Sequence, residues 1–104
     1  MEKTYITITG LHAYFGKKPF KVGREVMLVK DVDNEYDTEA IRVELPYIDT
    51  IGYVANSIKT VYQGTISAGR LYNMIGNDAK AKVMFITNSS VIAEIVDFGI
   101  NENK

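Results

Sequence analysis

DVDNEYDTEAIRVEL, residues 31 to 45, changes character at its midpoint. Its first half gathers Asp33, Asn34, Tyr36 and Asp37, and Asp and Asn favour turns because their side chains bond nearby backbone. Its second half carries Ala40, Ile41, Val43 and Leu45, the alternation of a half-buried strand. A turn at Pro46 to Asp49 then leads into TIGYVA, residues 50 to 55, which reads as the hairpin partner of that strand. The polar residues therefore sit on a loop that a rigid strand holds in place, where binding residues tend to be found.

Outward from this hairpin the chain reads as further strands. Lys3 to Thr9 alternates and is rich in β-branched residues. Glu25 to Lys30 carries the apolar run Val26 to Val29, and Ala79 to Ile86 and Val91 to Phe98 form a second strand pair joined by Thr87 to Ser90. Two helical segments interrupt them. In the first, Asn56 or Ser57 caps a short helix with Ile58, Val61 and Tyr62 at helical spacing, closed by Gly64. The second is Ser67 to Ile75, with Ala68, Leu71, Tyr72 and Ile75 on one face and Gly76 as its stop. Asn101 to Lys104 reads as a frayed tail. About six strands with short turns leave edges exposed unless they close on themselves, so the pattern predicts a mainly β protein, a small antiparallel barrel with one or two short helices. An open α+β sheet is the structural alternative.

At 104 residues the chain makes one domain, residues 1–104. It has no cysteine, which excludes disulfides, thiolate metal sites and a cysteine nucleophile and makes a reducing cytoplasm the expected location. No apolar run suits a membrane span, and Met1 to Gly10 lacks the apolar core of a signal peptide. Twelve basic residues against thirteen acidic ones argue against binding nucleic acid mainly by neutralising phosphates. Their distribution is uneven. KKPFKVGR, residues 17 to 24, holds four basic residues and no acid, whereas residues 31 to 49 hold seven acids and the single base Arg42. The loop GLHAYFGKKPFKVG, residues 10 to 23, sets His12, Tyr14, Phe15 and Phe20 among Lys17, Lys18 and Lys21. Rings among cations suit single-stranded nucleic acid, because bases stack on the rings and phosphates meet the lysines. The alternative is that Tyr14 and Phe20 are core residues and the lysines keep an edge soluble.

Catalytic patterns are sparse. Asp31, Asp33, Glu35, Asp37 and Glu39 alternate as in a calcium loop, but Tyr36 stands at the glycine position and Arg42 at that of the closing Glu. Gly10 to Lys18 misses the phosphate-binding loop by one residue of spacing and by Lys18 in place of Ser or Thr. His12 is the only histidine, and no nucleophile elbow accompanies it. His12, Asp33 and Asp37 form the one candidate metal set, that of a small hydrolase.

The run DNEYDTEAIRVEL, residues 33 to 45, followed by IGYVANS, residues 51 to 57, resembles the HIRAN domain, a small module found alone in bacteria and at the front of DNA translocases and some nucleases. GTISAGRLY, residues 64 to 72, resembles a segment of the free-standing bacterial members. The resemblance implies a modified oligonucleotide-binding-type (OB-like) barrel and, by analogy with translocase-type members, binding of the 3′ end of single-stranded DNA. In those members a Tyr-Asp pair meets the terminal base and the free hydroxyl, and the matching residues are Tyr36 and Asp37. Departures are specific. Glu35 replaces a usual proline, His12 and Ala13 stand where translocase-type members have Arg-Tyr, Tyr14 keeps the next aromatic, Tyr53 can supply a ring, and Asn56 occupies a position where the family can present a basic residue.

The expected function is a nucleic-acid-binding module without a cofactor or chemistry of its own. It binds single-stranded DNA through Tyr36, Asp37, His12, Tyr14, Tyr53, Asn56, Lys17 and Lys18, with a helicase or nuclease as partner, in DNA repair or the processing of stalled forks. A module that docks a peptide in the same aromatic pocket is the competing class.

Overall fold

Alternation produces the expected strands in the computed structural model, which describes residues 2–100. They are β1 (Tyr5–Thr9), β2 (Glu25–Lys30), β3 (Ile41–Leu45), β4 (Ile48–Val54), β5 (Ala79–Ile86) and β6 (Val91–Asp97). All pair antiparallel in the order β1, β4, β3, β2, β5, β6, and β6 returns to β1, so the sheet closes into a six-stranded barrel. The open α+β sheet is thereby ruled out. The tail at residues 101–104 lies outside the described residues.

Closure turns one side of every strand inward. Ile6 and Ile8, Val26 and Leu28, Ile41 and Val43, Ala81 and Val83, and Ala93 and Ile95 are buried and belong to one apolar cluster. Each larger side chain of this kind contributes about 1.5–3 kcal/mol when fully buried. Phe20, from the loop between β1 and β2, joins the same cluster at 3% exposure.

The hairpin is tighter than the sequence suggests. Only Pro46 and Tyr47 separate β3 from β4, and two register shifts, between Val43 and Glu44 and between Glu44 and Leu45, absorb the extra residues of β4. Bulges of this kind let a strand turn a barrel corner.

Among the described residues one α-helix forms, α1 (Ala68–Tyr72), capped by Ser67, whose hydroxyl accepts from the Arg70 N–H at 3.3 Å. It is shorter than the expected Ser67 to Ile75, although Ile75 is still buried. Lys30 of β2 stands 4.7 Å from the centre of the Tyr72 ring. The helix expected after Ser57 does not form. The Ser57 carbonyl accepts from the N–H groups of Thr60 and Val61, both at 2.9 Å, which makes a single turn. The next N–H, of Tyr62, donates instead to the Thr7 hydroxyl at 3.1 Å, and that hydroxyl also pairs with the Thr65 hydroxyl at 2.8 Å. Thr7 faces outward on β1 and is fully buried under this segment, so β1 takes the bonds a second helical turn would need. Ile58, expected on the apolar face, is 96% exposed. A 3-10 turn at Leu11–Ala13, not foreseen, buries Leu11. Among the described residues no helix is long and apolar enough to cross a membrane.

Candidate nucleic-acid interface

Asp31 follows β2 directly, and its N–H donates to the Ala40 carbonyl at 2.9 Å, extending the β2–β3 ladder and closing the loop between them. Its carboxylate is a hub. Oδ2 accepts from the Tyr53 hydroxyl at 2.7 Å and from Asn34 Nδ2 at 3.1 Å, and Oδ1 accepts from Arg42 Nη1 at 3.0 Å. Arg42 Nε donates to Glu44 Oε2 at 2.8 Å. The β3–β4 register sets Arg42 opposite Tyr53, which brings both to Asp31. The Tyr53 hydroxyl, aided by Asn34 and Arg42, holds the Asp31 carboxyl below its ordinary value against the opposing effect of burial. Burial, then the Asp31 carboxylate, pushes the Tyr53 phenol well above its ordinary value. Arg42, engaged by two carboxylates, is not a free cation for a phosphate.

The polar turn is held by its own side chains. Asn34 Oδ1 accepts from the N–H groups of Tyr36 and Asp37 at 2.8 and 2.9 Å, which restrains the turn around Glu35. Asp37 Oδ1 accepts from the Glu39 N–H at 2.9 Å, and Asp37 Oδ2 accepts from Asn56 Nδ2 at 3.1 Å. Asn56 Oδ1 in turn accepts from the Gly69 N–H of α1 at 2.8 Å. Tyr36 projects from this turn with 94% of its surface exposed, free to meet a planar ligand.

Tyr14 lies beside the hub, its ring centre 6.3 Å from that of Tyr53 with the planes at 36°. Gly52 allows this approach. A Cβ there would come within 2.9 Å of Ile8 Cγ2 and 3.1 Å of Leu11 Cδ2, so a side chain would press on β1 and on the Leu11 that seats the 3-10 turn before Tyr14. Tyr14 then continues, with Phe15, Lys17, Lys18, Lys21, Arg24 and Ile48, into an open concavity of about 740 Å³. Buried Phe20 anchors this loop, while Tyr14 is 41% exposed, so of the two rings that could have been core only Phe20 is. Lys17 Nζ donates to the Thr87 carbonyl at 3.1 Å and Arg24 Nη1 to the Pro19 carbonyl at 2.8 Å. Among the described residues none of the four cations is ion-paired.

Of the residues singled out in the sequence, Tyr14, Tyr53, Asp37 and Asn56 are thus joined through contacts that run by way of Asp31 and Asn34. Tyr36 shares their turn, and Lys17 and Lys18 share the concavity with Tyr14. His12 is exposed on the 3-10 turn. Among the described residues no three of His, Asp and Glu gather as a metal site would require, so His12, Asp33 and Asp37 are not brought together as a metal set. Sequence reasoning missed the hub of Asp31 and Arg42. The one signal was Arg42 itself, a single base in an acidic stretch. A concavity of about 770 Å³ bounded by Asn73 to Asp78, Asp97, Gly99 and Ile100 contains none of the predicted residues.

The sequence model of the HIRAN domain matches residues 1–70, the part that carries the hub, the turn and the basic loop. The chain belongs to the HIRAN family. HIRAN domains are nucleic-acid-binding modules, which sets the broad class of this chain. Two solved structures share the barrel. A protein from Lactobacillus plantarum superposes with a TM-score of 0.64 at 20% identity over 88% of each chain. The HIRAN domain of human HLTF superposes with a TM-score of 0.60, also at 20% identity, over 89% of this chain and 74% of that one. Among proteins with curated descriptions none matches.

Proposed function

We propose that residues 1–104 act as one HIRAN module that binds the 3′ end of single-stranded DNA, seating the terminal nucleotide at Tyr36 and Asp37. The observation that carries this reading is a chain of contacts from the polar turn to the basic loop. Asn34 bonds the N–H groups of Tyr36 and Asp37 and the carboxylate of Asp31, Asp31 bonds Tyr53, Tyr53 lies beside Tyr14, and Tyr14 lines the concavity of the Lys17–Arg24 loop. Each part meets one part of a strand end. A base stacks on Tyr36 whatever its identity, a contact of about 1–3 kcal/mol. The terminal hydroxyl is a donor, and a carboxylate offers only acceptors. The preceding nucleotides pass Tyr14, Tyr53 and His12, and their phosphates reach Lys17, Lys18, Lys21 and Arg24. The module works without a cofactor and performs no chemistry. It delivers the end to a helicase or nuclease in DNA repair or at stalled forks, in the cytoplasm.

Replacing the 3′ hydroxyl by a 3′ phosphate removes the donor and sets a dianion beside a carboxylate. Losing a charge-assisted hydrogen bond costs about 1.5–3 kcal/mol, so a titration of labelled strands at one length and one salt concentration should show at least about tenfold weaker binding of the phosphate end. A 5′ phosphate should change little. Equal affinity for hydroxyl and phosphate ends contradicts the reading, and tight, salt-independent binding of a peptide would favour the docking of protein segments instead.

A further inference from the structure

The sequence marks Asn56 as a residue that meets DNA, but both ends of its amide are already engaged. The Gly69 backbone N–H has only a proton to give, so the group facing it at 2.8 Å must be the amide oxygen. That fixes the flip of the side chain. The amide nitrogen is consequently the group that faces Asp37 Oδ2 at 3.1 Å.

The surroundings hold it there. Asn56 directly follows the Ala55 carbonyl, which accepts from the Ala68 N–H at 2.9 Å, so a backbone bond between the residue after β4 and the start of α1 lies directly beside the Asn56–Gly69 bond. Gly69 itself sits in the first turn of α1, where alanine would ordinarily be the more stable choice by about 0.5–1 kcal/mol. A Cβ at Gly69 would lie 3.3 Å from Asn56 Oδ1 and 2.5 Å from Glu39 Oε1. The Glu39 carboxylate can swing away, but Asn56 is bonded on both sides and can retreat only by lengthening one of its bonds. The bare Cα thus leaves room for the amide at the place where the backbone fixes its orientation.

We infer that Asn56 is a positioning residue that sets the end specificity of the Asp37 carboxylate, and that α1 takes part in the site through it. This inference rests on the strand-end reading. With Oδ1 held by the Glu39 N–H and Oδ2 by Asn56, the carboxylate has a fixed orientation and keeps further lone pairs for a donor. It therefore selects ends that bring a hydrogen-bond donor and rejects those that bring only acceptors. Specificity belongs to Asn56 as much as to Asp37, although Asn56 need not touch the strand.

Asn56→Asp separates the two functions of the amide. It keeps an acceptor for the Gly69 N–H and nearly the same shape, but turns an oxygen instead of an N–H toward Asp37. Asn56→Leu removes both bonds at similar volume. Asn56 is exposed, so both variants should fold, which a thermal melt checks. The measurement is the ratio of affinities for one strand ending in a 3′ hydroxyl and the same strand ending in a 3′ phosphate. Both variants should lose about tenfold or more for the hydroxyl end; in Asn56→Leu, which adds no charge, the weaker binding of the phosphate end stays within a factor of about two, so that the ratio collapses toward one. If the wild type discriminates and Asn56→Leu keeps the full ratio, or if both strands weaken equally in it, Asn56 does not set specificity. A wild type that does not discriminate contradicts the strand-end reading itself, so the two failures are distinguishable.

Discussion

The acidic turn and the basic loop are linked through Tyr53 and Tyr14 but are held by different means. Asp31 to Asp37 has little apolar anchorage, and its shape comes from carboxylate and amide groups bonded to one another and to the backbone. Lys17 to Arg24 is anchored by the buried Phe20 ring, with its cations facing outward and few side-chain bonds between them. A net of directional bonds fixes atoms in place, as discrimination of a strand end requires. A loop pinned by one ring can carry mobile charges, which is sufficient for phosphates because the attraction needs no fixed geometry.

The largest effect should come from a site that belongs to neither region. Ile41, fully buried at the start of β3, supports the strand on which the turn closes, and Ile41→Ala should cost about 2–5 kcal/mol by denaturant unfolding. Asp37→Ala, which removes two exposed hydrogen bonds, should stay within about 1 kcal/mol of wild type and yet weaken DNA binding. If Asp37→Ala unfolds the protein while whatever remains folded binds normally, Asp37 is a turn residue and not a ligand group.

Asp31→Ala should fall between these, at about 1–3 kcal/mol, because it strips partners from Tyr53, Asn34 and Arg42 together. Unlike Asp37→Ala it should lower stability and binding in parallel. The pH dependence has a definite sign. Asp31 is held below its ordinary value, so its contribution is fully present above the unfolded value of about 3.9 and disappears as pH falls through the lower folded value. Asp31→Asn should flatten that acid limb of the stability profile. An unchanged limb would mean that the hub is not what acid breaks.

The smallest effect on stability belongs to the basic loop. Lys17→Glu and Lys18→Glu should each leave stability within about 0.5 kcal/mol. For every phosphate that a lysine no longer neutralises, the slope of log K against log salt should become shallower by about 0.7. An unchanged slope would remove these cations from the interface.

Much of the barrel was legible because β1 and β3 alternate and the other strands are short apolar stretches bounded by turns. Ile41 and Val43, or Ile6 and Ile8, can face the core only if the residues between them face out. The helix expected at Ile58 to Tyr62 was not legible as absent, since its loss depends on Thr7, distant in sequence, capturing the Tyr62 N–H. In the site, the turn chemistry of Asn34 and Asp37 could be read locally because the bonds span two or three residues. The hub could not. Asp31, Arg42 and Tyr53 meet only through a strand register that two bulges in the hairpin determine, and alternation says nothing about which residues lie opposite one another.

The central claim is that the turn reads an end and the loop merely attracts a chain. A competition assay tests it most directly, setting a linear single strand with a free 3′ hydroxyl against a covalently closed circle of the same sequence and length. Both carry the same bases and nearly the same charge, so the basic loop attracts them alike. The linear strand should displace a labelled linear strand at a concentration at least about tenfold lower than the circle, in keeping with one charge-assisted hydrogen bond gained at the terminus. Equal competition by the circle would contradict the account and assign the whole interaction to binding along the strand.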